Sequence, residues 1–572
     1  MKKKPLFFAA IFLLPGLFIA GTNTKKNQPS NNESNRDIIS CAPAGDNIFK
    51  DENGKFIAVL PGWGNHALAV STSNDSAQFY FNQGLSMYYS YHSREAIASF
   101  KESARFDPAL AMAYWGQALA SGPNYNSAYG YKMKTTVPAI VNELNKPALN
   151  ASMKERDLID AVNSRYNIAD TADSKRKMLN ETYAAKMKAL VDKYPDDLEI
   201  KTLYVDAVML MHEWDFWNND GSPKPWTPEL VRLCETVLKA NPVHPGALHY
   251  YIHVTEASHH PEVALHAADV LKDLLPGVAH MVHMSSHEYE RVGLYAKGVA
   301  VNEKADGSFV LYDSLLKGIY PVRHVPHYLA VEAYCAISGG MYKRGLPKAA
   351  RCRNNTKPDY KNTYDQYLYA MPLFAMVRMG KWDAIIADTT APVTEWTYAS
   401  LLYDFAKGMA YARTGNIRLA EKYLASLNKK SKDSILTVKF VPYTNAPYKG
   451  AVIASNILHG AILFSEKKYK DAIDALTSAI KTEDSLVYIE PKQWMLPARQ
   501  YLGSILLKIN KPVKAEKTYR DDLYWNPGNG WSLLGLYKSL AAQGKLKEAN
   551  KYKLLYTQSF SEADEIPPGS VY

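Results

Sequence analysis

The chain repeats one short pattern: a glycine, an alanine twelve residues later, and a phenylalanine, leucine or tyrosine four residues beyond the alanine. The four copies are Gly84/Ala96/Phe100, Gly408/Ala420/Leu424, Gly460/Ala472/Leu476 and Gly503/Ala515/Tyr519. In the first and last copies a proline, Pro108 or Pro527, follows the glycine by 24 residues. Small residues let two helices approach closely, the large residue fills the gap, and proline ends the second helix. The pattern therefore predicts stacked helix pairs.

This skeleton is the tetratricopeptide signature. We expect an all-α fold, a right-handed α-solenoid of tetratricopeptide-like helix pairs. Weaker copies between the four clear ones bring the expected number to about ten or eleven pairs. An array of this kind extends one architecture over 572 residues without a proportionately larger core.

The N-terminus has the features of a secretory signal. Three lysines at positions 2–4 precede an apolar run over 6–20, which is too short and interrupted to span a bilayer. No cysteine directly follows the run, and the first is Cys41, which disfavours a lipid anchor. We therefore predict an exported protein, periplasmic or secreted, without a transmembrane segment in the mature chain.

The expected organisation follows from these features. Residues 1–21 are the signal peptide and 22–60 a disordered or extended tether. Three tetratricopeptide-like regions follow: an N-terminal one over 61–195, a central histidine-rich one over 196–356, and a C-terminal one over 357–572. A tryptophan-rich insert over 211–227 interrupts the central region, and insertions in solenoids often lie beside the binding face.

Charge and cysteine content narrow the function classes. The formal charge is +10, of which three belong to the signal, leaving about +7 without any block of like charge. This does not favour nucleic acid as a partner. Four cysteines are too few for a disulfide scaffold, although Cys335 and Cys352 could bridge one helix pair and Cys234 is expected to be buried.

Histidine clustering is the strongest functional signal. Nine of the fifteen histidines lie between His244 and His287. The central positions form two triads with the same i, i+4, i+7 spacing, 34 residues apart: His249, His253, Glu256 and His283, His287, Glu290. Such spacing places each triad on one stripe of a helix, and the shared offset places the two on equivalent helices of adjacent repeats.

First helices of adjacent repeats pack side by side, so the two stripes should face each other and bring imidazoles within coordinating distance of an ion. Further candidate ligands are His280, His324 and His327, and Asp206 has a matching place on the preceding repeat. Imidazoles suit zinc, copper, iron or nickel, and one or two ions would fit. The alternative is a metal-free polar groove. The remaining histidines of this segment, His244, His259, His260 and His266, are expected at the surface.

A second, weaker feature surrounds the first repeat. Trp115, Asn124 and Asn126 are candidate groove residues near the histidines, and His92 lies on the turn of that repeat. Packing and turn formation are the favoured interpretation of this stretch.

The chain resembles exported bacterial tetratricopeptide proteins with a histidine-rich centre. The resemblance lies in residues 80–85 (YFNQGL), 113–116 (AYWG), 244–253 (HPGALHYYIH) and 277–287 (GVAHMVHMSSH). It covers roughly residues 60–340 and implies the fold and an exported location, but no catalytic roles. Ser285 stands where the family usually has proline, which removes no candidate ligand.

Three functions remain open. In the first, the groove binds a peptide, protein or glycan in the cell envelope, either through a His/Glu metal site or without metal. In the second, the site belongs to a metal-dependent enzyme, a hydrolase or oxidoreductase. In the third, the protein is a metal carrier or sensor. The chain has no zinc-protease histidine pair around a glutamate, no haem-attachment motif and no phosphate-binding loop.

Overall fold

The computed structural model describes residues 48, 50–127, 130–146, 150–316 and 326–572. Within these residues every regular element is helical, and the only β features are two isolated bridges, Leu110 with Asn150 and Trp217 with Pro223. The α-solenoid expected from the sequence is confirmed. The predicted signal peptide and His324 lie outside the described residues.

Twenty-five α-helices occur in the described part of the chain. The first six are α1 (Asp75–Tyr89), α2 (Ser93–Phe106), α3 (Ala111–Ser121), α4 (Val137–Leu144), α5 (Met153–Asn163) and α6 (Arg176–Lys193). The central eight are α7 (Leu198–Met209), α8 (Thr227–Ala240), α9 (Pro245–Thr255), α10 (Leu265–Leu274), α11 (Ala279–Arg291), α12 (Tyr295–Leu316), α13 (Pro326–Ser338) and α14 (Tyr342–Asn354). The last eleven are α15 (Thr363–Tyr369), α16 (Met371–Arg378), α17 (Trp382–Ala387), α18 (Thr397–Arg413), α19 (Ile417–Lys430), α20 (Pro447–Ser465), α21 (Tyr469–Glu483), α22 (Ala498–Lys508), α23 (Pro512–Trp525), α24 (Gly530–Ala541) and α25 (Leu546–Ser559).

The repeated glycines are positions of close helix contact. A Cβ at Gly84 on α1 would lie 2.7 Å from the ring of Phe100 on α2, and one at Gly503 on α22 would lie 2.3 Å from the ring of Tyr519 on α23. Gly408 differs, because its nearest neighbour is Leu458 on α20 of the following pair. The signature thus records helix packing, within a pair or between pairs.

The central helices alternate between two roles. The first helices of successive pairs pack against one another in the order α7, α9, α11, α13. Each of them also packs against the second helix of its own pair, which is α8, α10, α12 or α14. α9 also contacts α1. This arrangement places the two histidine-bearing helices, α9 and α11, side by side, as the 34-residue offset predicted.

Two hydrophobic cores divide most of the chain. One takes buried residues from Ile57 to Tyr328 and the other from Tyr295 to Val571. The central and C-terminal repeats are in close backbone contact at Gly293 and Gly528, whose φ angles are +76° and +69°. A Cβ on Gly293 would lie 1.9 Å from the carbonyl oxygen of Gly528, so only glycine permits this approach between the central and C-terminal repeats.

Other sequence features have defined places. Residues 50–60 contain no helix, and Ile57 and Leu60 are buried. The insert over 211–227 lies between α7 and α8, except that its last residue, Thr227, begins α8. Cys335 and Cys352 are buried free thiols, so they do not form the bridge that the sequence allowed. Among the described helices, none combines the length and apolar character needed to cross a membrane.

Candidate metal centre

Helix periodicity brings the triad histidines together in pairs. On α9 the ring centroids of His249 and His253 are 4.8 Å apart, and on α11 those of His283 and His287 are 4.9 Å apart. Between the helices, His253 and His287 are 6.1 Å apart. The two stripes therefore face each other, as expected from their equivalent positions.

Three overlapping groups of side chains could each hold an ion, because their ligand atoms lie within 4.8 Å of one another. The groups are His249/His253/His280, His283/His287/His327 and His253/Glu256/His287. We call these seven residues the histidine centre. It contains every metal ligand predicted from the sequence except Glu290 and His324.

The histidine centre is buried, so the prediction that its residues line an open groove is wrong. No member is more than 2% exposed. Two tyrosines that are distant in sequence cover it. Tyr91, in the turn after α1, has its ring centroid 4.6 Å from that of His249, and Tyr125 has its ring centroid 4.8 Å from that of His253. From the C-terminal half, Glu490 reaches to 3.5 Å from Nδ1 of His287. Helix spacing alone carries no information about this cover.

The hydrogen bonds on α11 assign the tautomers of two histidines. Nδ1 of His283 is 2.6 Å from Oδ1 of Asn302, whose amide nitrogen donates to the carbonyl of Gly298. The second bond orients the amide, so Nδ1 of His283 must be the donor. Nδ1 of His287 lies 2.6 Å from a carboxylate oxygen of Glu256, whose pKa is raised by burial. When that carboxylate is ionised, Nδ1 of His287 is the donor, so both Nε2 atoms carry lone pairs, and they face each other at 3.0 Å.

The pairing on α9 is less constrained. Nδ1 of His249 donates to the carbonyl oxygen of Tyr89 at 2.6 Å, which leaves a lone pair on its Nε2. That atom lies 3.1 Å from Nε2 of His280, whose Nδ1 has no hydrogen-bond partner among the described residues. His280 can therefore donate to His249 or join it as a ligand. Nδ1 of His253 is 3.0 Å from Glu256, and its Nε2 has no partner in the same set.

Burial keeps these imidazoles neutral. It lowers the pKa of His253 and His327 to about 3, and the pKa of His287 to about 4. The pKa values of His249 and His283 are also lowered well below 6.5, mainly by burial. Neutral imidazole is the form that binds a metal ion.

The two triad glutamates end in different places. Glu256 is the C-cap of α9, so its carboxylate swings back between His253 and His287. Glu290 stays inside α11, and its carboxylate belongs to none of the ion-holding groups. Both of its oxygens lack a hydrogen-bond partner within the described residues, and burial raises its pKa to about 8. Although both glutamates have the same spacing from their histidines, α9 ends at Glu256 and α11 continues past Glu290, so the two carboxylates point to different places.

The remaining predicted site residues lie apart from the centre. The Asp206 carboxylate accepts a hydrogen bond from Tyr88, and Trp115 is a core residue whose Nε1 donates to the carbonyl of Leu158. Neither lines a groove, because both are 1% exposed. Asn124 is buried and donates to Ser93, and Asn126 is half-buried. The residue between them, Tyr125, is the one that contacts the centre.

A further cluster, His66, Glu199 and His244, also satisfies the distance condition for a metal. However, Nδ1 of His244 accepts the backbone N–H of Ala247 as the N-cap of α9, so its Nε2 carries the proton when the ring is neutral. That nitrogen faces the Glu199 carboxylate at 3.5 Å. The three side chains are therefore a hydrogen-bonded cluster, in which His244 has no free lone pair to offer a metal ion.

The four histidines assigned to the surface divide evenly. His260 and His266 are exposed as predicted, whereas His244 is buried and His259 is half-buried beside Trp525. His244 was misplaced because its capping role depends on where α9 begins.

A cavity of about 310 Å³ adjoins the centre, between the insert and the loop over 484–497. Trp214, Arg291 and Tyr488 line the cavity. Trp214 lies 6.1 Å from His253, and Nε of Arg291 donates to the carbonyl oxygen of Glu256 at 2.8 Å. The cavity and the histidine centre therefore share a wall.

No family model and no curated protein matches the chain. Similar solved structures include a human IFIT1 dimer with m7Gppp-AAAA, 12% identical, covering 87% of this chain and 92% of that chain with a TM-score of 0.29. Yeast Tom70 is 11% identical, covering 84% and 90% with a TM-score of 0.26. Cut9–Hcn1 of APC/C is 11% identical, covering 86% and 76% with a TM-score of 0.29. Likenesses at such TM-scores carry no inference about what this chain binds.

Proposed function

We propose that this chain is an exported metal-binding solenoid, with one or two transition-metal ions held in the histidine centre. The signal-like N-terminus supports export to the periplasm or the cell exterior. Zinc, copper and iron are the candidate metals, because the donors are mostly imidazoles with one carboxylate.

One observation carries the proposal: Nε2 of His283 and Nε2 of His287 face each other at 3.0 Å, and an ionised Glu256 leaves a lone pair on each. Burial raises the pKa of Glu256, so its ionised form needs a further positive charge nearby. A metal ion supplies it, and two nitrogens bound to one tetrahedral ion at 2.0–2.1 Å lie roughly 3.3 Å apart. Small rotations of the rings reach that separation.

The outer shell of the centre supports the same conclusion. Metal-ligating histidines usually donate their other ring N–H to a carboxylate, carbonyl or similar acceptor. His249, His283 and His287 do so to a carbonyl oxygen, an amide oxygen and a carboxylate. The same bonds direct the Nε2 atoms of His283 and His287 toward each other.

Elemental analysis tests the proposal. Untagged protein purified without chelator should contain stoichiometric zinc, copper or iron, and the double variant His283→Ala/His287→Ala should lose it. The matched control is His260→Ala/His266→Ala, which removes two exposed histidines and should retain the metal. Circular dichroism confirms that each variant is folded.

A parent protein that lacks metal and does not take up added zinc, copper or iron would refute the metal centre. It would leave a metal-free solenoid whose partner is a peptide, protein or glycan of the cell envelope. A metal-dependent hydrolase or oxidoreductase is a second candidate, favoured by the wall that the centre shares with the cavity.

A further inference from the structure

The cavity beside the histidine centre has a chemical character of its own. Its aromatic walls include Trp214, Trp217 and Trp525. The ring of Trp214 also stacks on the ring of Tyr443, with the centroids 5.6 Å apart and an angle of 11° between the ring planes. A volume of about 310 Å³ lies at the lower end of the range for small-molecule sites. Flat apolar walls of this kind suit a planar, apolar ligand body.

Two cations line the cavity with neutral hydrogen-bond partners. Arg291 donates to the carbonyl oxygens of Glu256 and Ser258, both at 2.8 Å. Lys492 donates to the carbonyl oxygen of Trp525 and to Oδ1 of Asn526. Burial, and then repulsion by the Arg291 charge, lower the pKa of Lys492 to about 7.

The acidic groups of the wall are mostly engaged elsewhere. Asp484 pairs with Arg499 through two bonds of 2.6 and 2.7 Å, and Asp215 pairs with Lys224 at 3.0 Å. Glu483 accepts the backbone N–H of Ala498, and Glu213 lies on the insert. A third wall cation, Lys439, donates to the carbonyl oxygen of Pro442. Within the described residues, Arg291 and Lys492 thus donate hydrogen bonds to neutral oxygens alone. The carboxyls of Asp522, Glu483 and Glu290 attract Lys492 without forming an ion pair with it, so a carboxylate in the cavity could still pair with both cations.

We propose that this cavity binds a small organic carboxylate with a planar apolar body, its carboxylate directed to Arg291 and Lys492 and its body against the tryptophans. Guanidinium and ammonium groups recognise carboxylates through charge-assisted hydrogen bonds. The shared wall places the bound molecule next to the histidine centre. The site does not require the metal, since none of its proposed contacts is a metal ligand.

Calorimetry on the full chain tests the site with three probes: phenylacetate, its neutral amide phenylacetamide, and acetate, which lacks the ring. Phenylacetate should bind at least about tenfold more tightly than either of the others, since each lost contact costs about 1.4 kcal/mol or more. Equal binding of phenylacetate and phenylacetamide would overturn the anionic half of the proposal. Equal binding of acetate would overturn the aromatic half.

Variants place the probe in the cavity. Lys492→Gln and Arg291→Gln should each weaken phenylacetate binding about tenfold. The matched control Lys432→Gln removes an exposed lysine outside the cavity lining and should have no effect. Two separate variants are needed because Arg291 also holds the backbone after α9, so loss of folding in one leaves the other informative.

The metal dependence separates this site from the metal centre. Phenylacetate should bind the metal-loaded protein and the His283→Ala/His287→Ala variant with affinities within about threefold. Binding that requires metal and ignores Lys492→Gln would mean that the probe coordinates the ion, which overturns the cavity site. No binding at millimolar concentrations by a protein with stoichiometric metal would do the same, and the proposed metal function would stand.

Discussion

The central and C-terminal repeats use the same helix packing but satisfy their buried polar groups differently. Near α22, the side chain of Gln500 accepts from Arg378 and donates to Asn529 and Ser532. In the centre, Nε2 of His283 and Nε2 of His287 face each other at 3.0 Å, with a lone pair on each when Glu256 is ionised. The Gln500 amide uses both its oxygen and its nitrogen, although Nε of Arg378 has no partner among the described residues. Facing lone pairs, in contrast, cost stability until a ligand lies between them. The difference separates a structural network from a binding site within one architecture.

Metal removal should give the largest contrast between the two regions. Binding to the folded state alone stabilises it by about 4 kcal/mol when free metal exceeds Kd a thousandfold. Hydrogen exchange followed by mass spectrometry should therefore show α9 and α11 losing protection on chelation, with α20 and α22 unchanged. Magnesium is the control ion, because imidazoles bind it poorly. Uniform loss of protection, or none, would contradict a local centre.

Replacing one amide in each region should separate the two kinds of network. Asn302→Leu removes the acceptor that orients His283 and should weaken metal binding 10–100-fold, the usual range for such orienting partners. Gln500→Leu should leave metal affinity unchanged and cost about 1–3 kcal/mol of unfolding free energy, because it strands buried partners. Metal titration and denaturant unfolding measure the two effects. Equal loss of metal affinity in both variants would remove the distinction.

The smallest effect is expected at Glu290, which the sequence placed among the ligands. Its folded pKa of about 8 exceeds its ordinary value of 4.5. Between these values the unfolded chain releases the proton while the folded chain keeps it, so the parent loses stability as pH rises. Glu290→Gln removes this loss and should gain at least about 1 kcal/mol relative to the parent by pH 8.

Unfolding of both proteins at pH 5 and pH 8 measures that gain. The variant should also retain its metal, whereas Glu256→Gln should lose affinity, since Glu256 bonds His253 and His287. Metal loss in Glu290→Gln would return this residue to the ligand set.

Local periodicity determined much of this protein. The glycine, alanine and aromatic spacing specified helix pairs, and the 34-residue offset of His249 and His283 specified that α9 and α11 carry equivalent stripes. These inferences succeed because a helix repeats every 3.6 residues and stacked repeats keep the same contacts.

Only the tertiary structure decided that the centre is buried, that Glu256 joins it while Glu290 does not, and that His244 caps a helix. It also brought the loop over 484–497 to the centre, where Glu490 lies 203 residues from His287 in sequence. The physical reason is that spacing within a helix fixes which residues share a face. The ends of helices and the contacts between distant segments depend on packing along the whole chain.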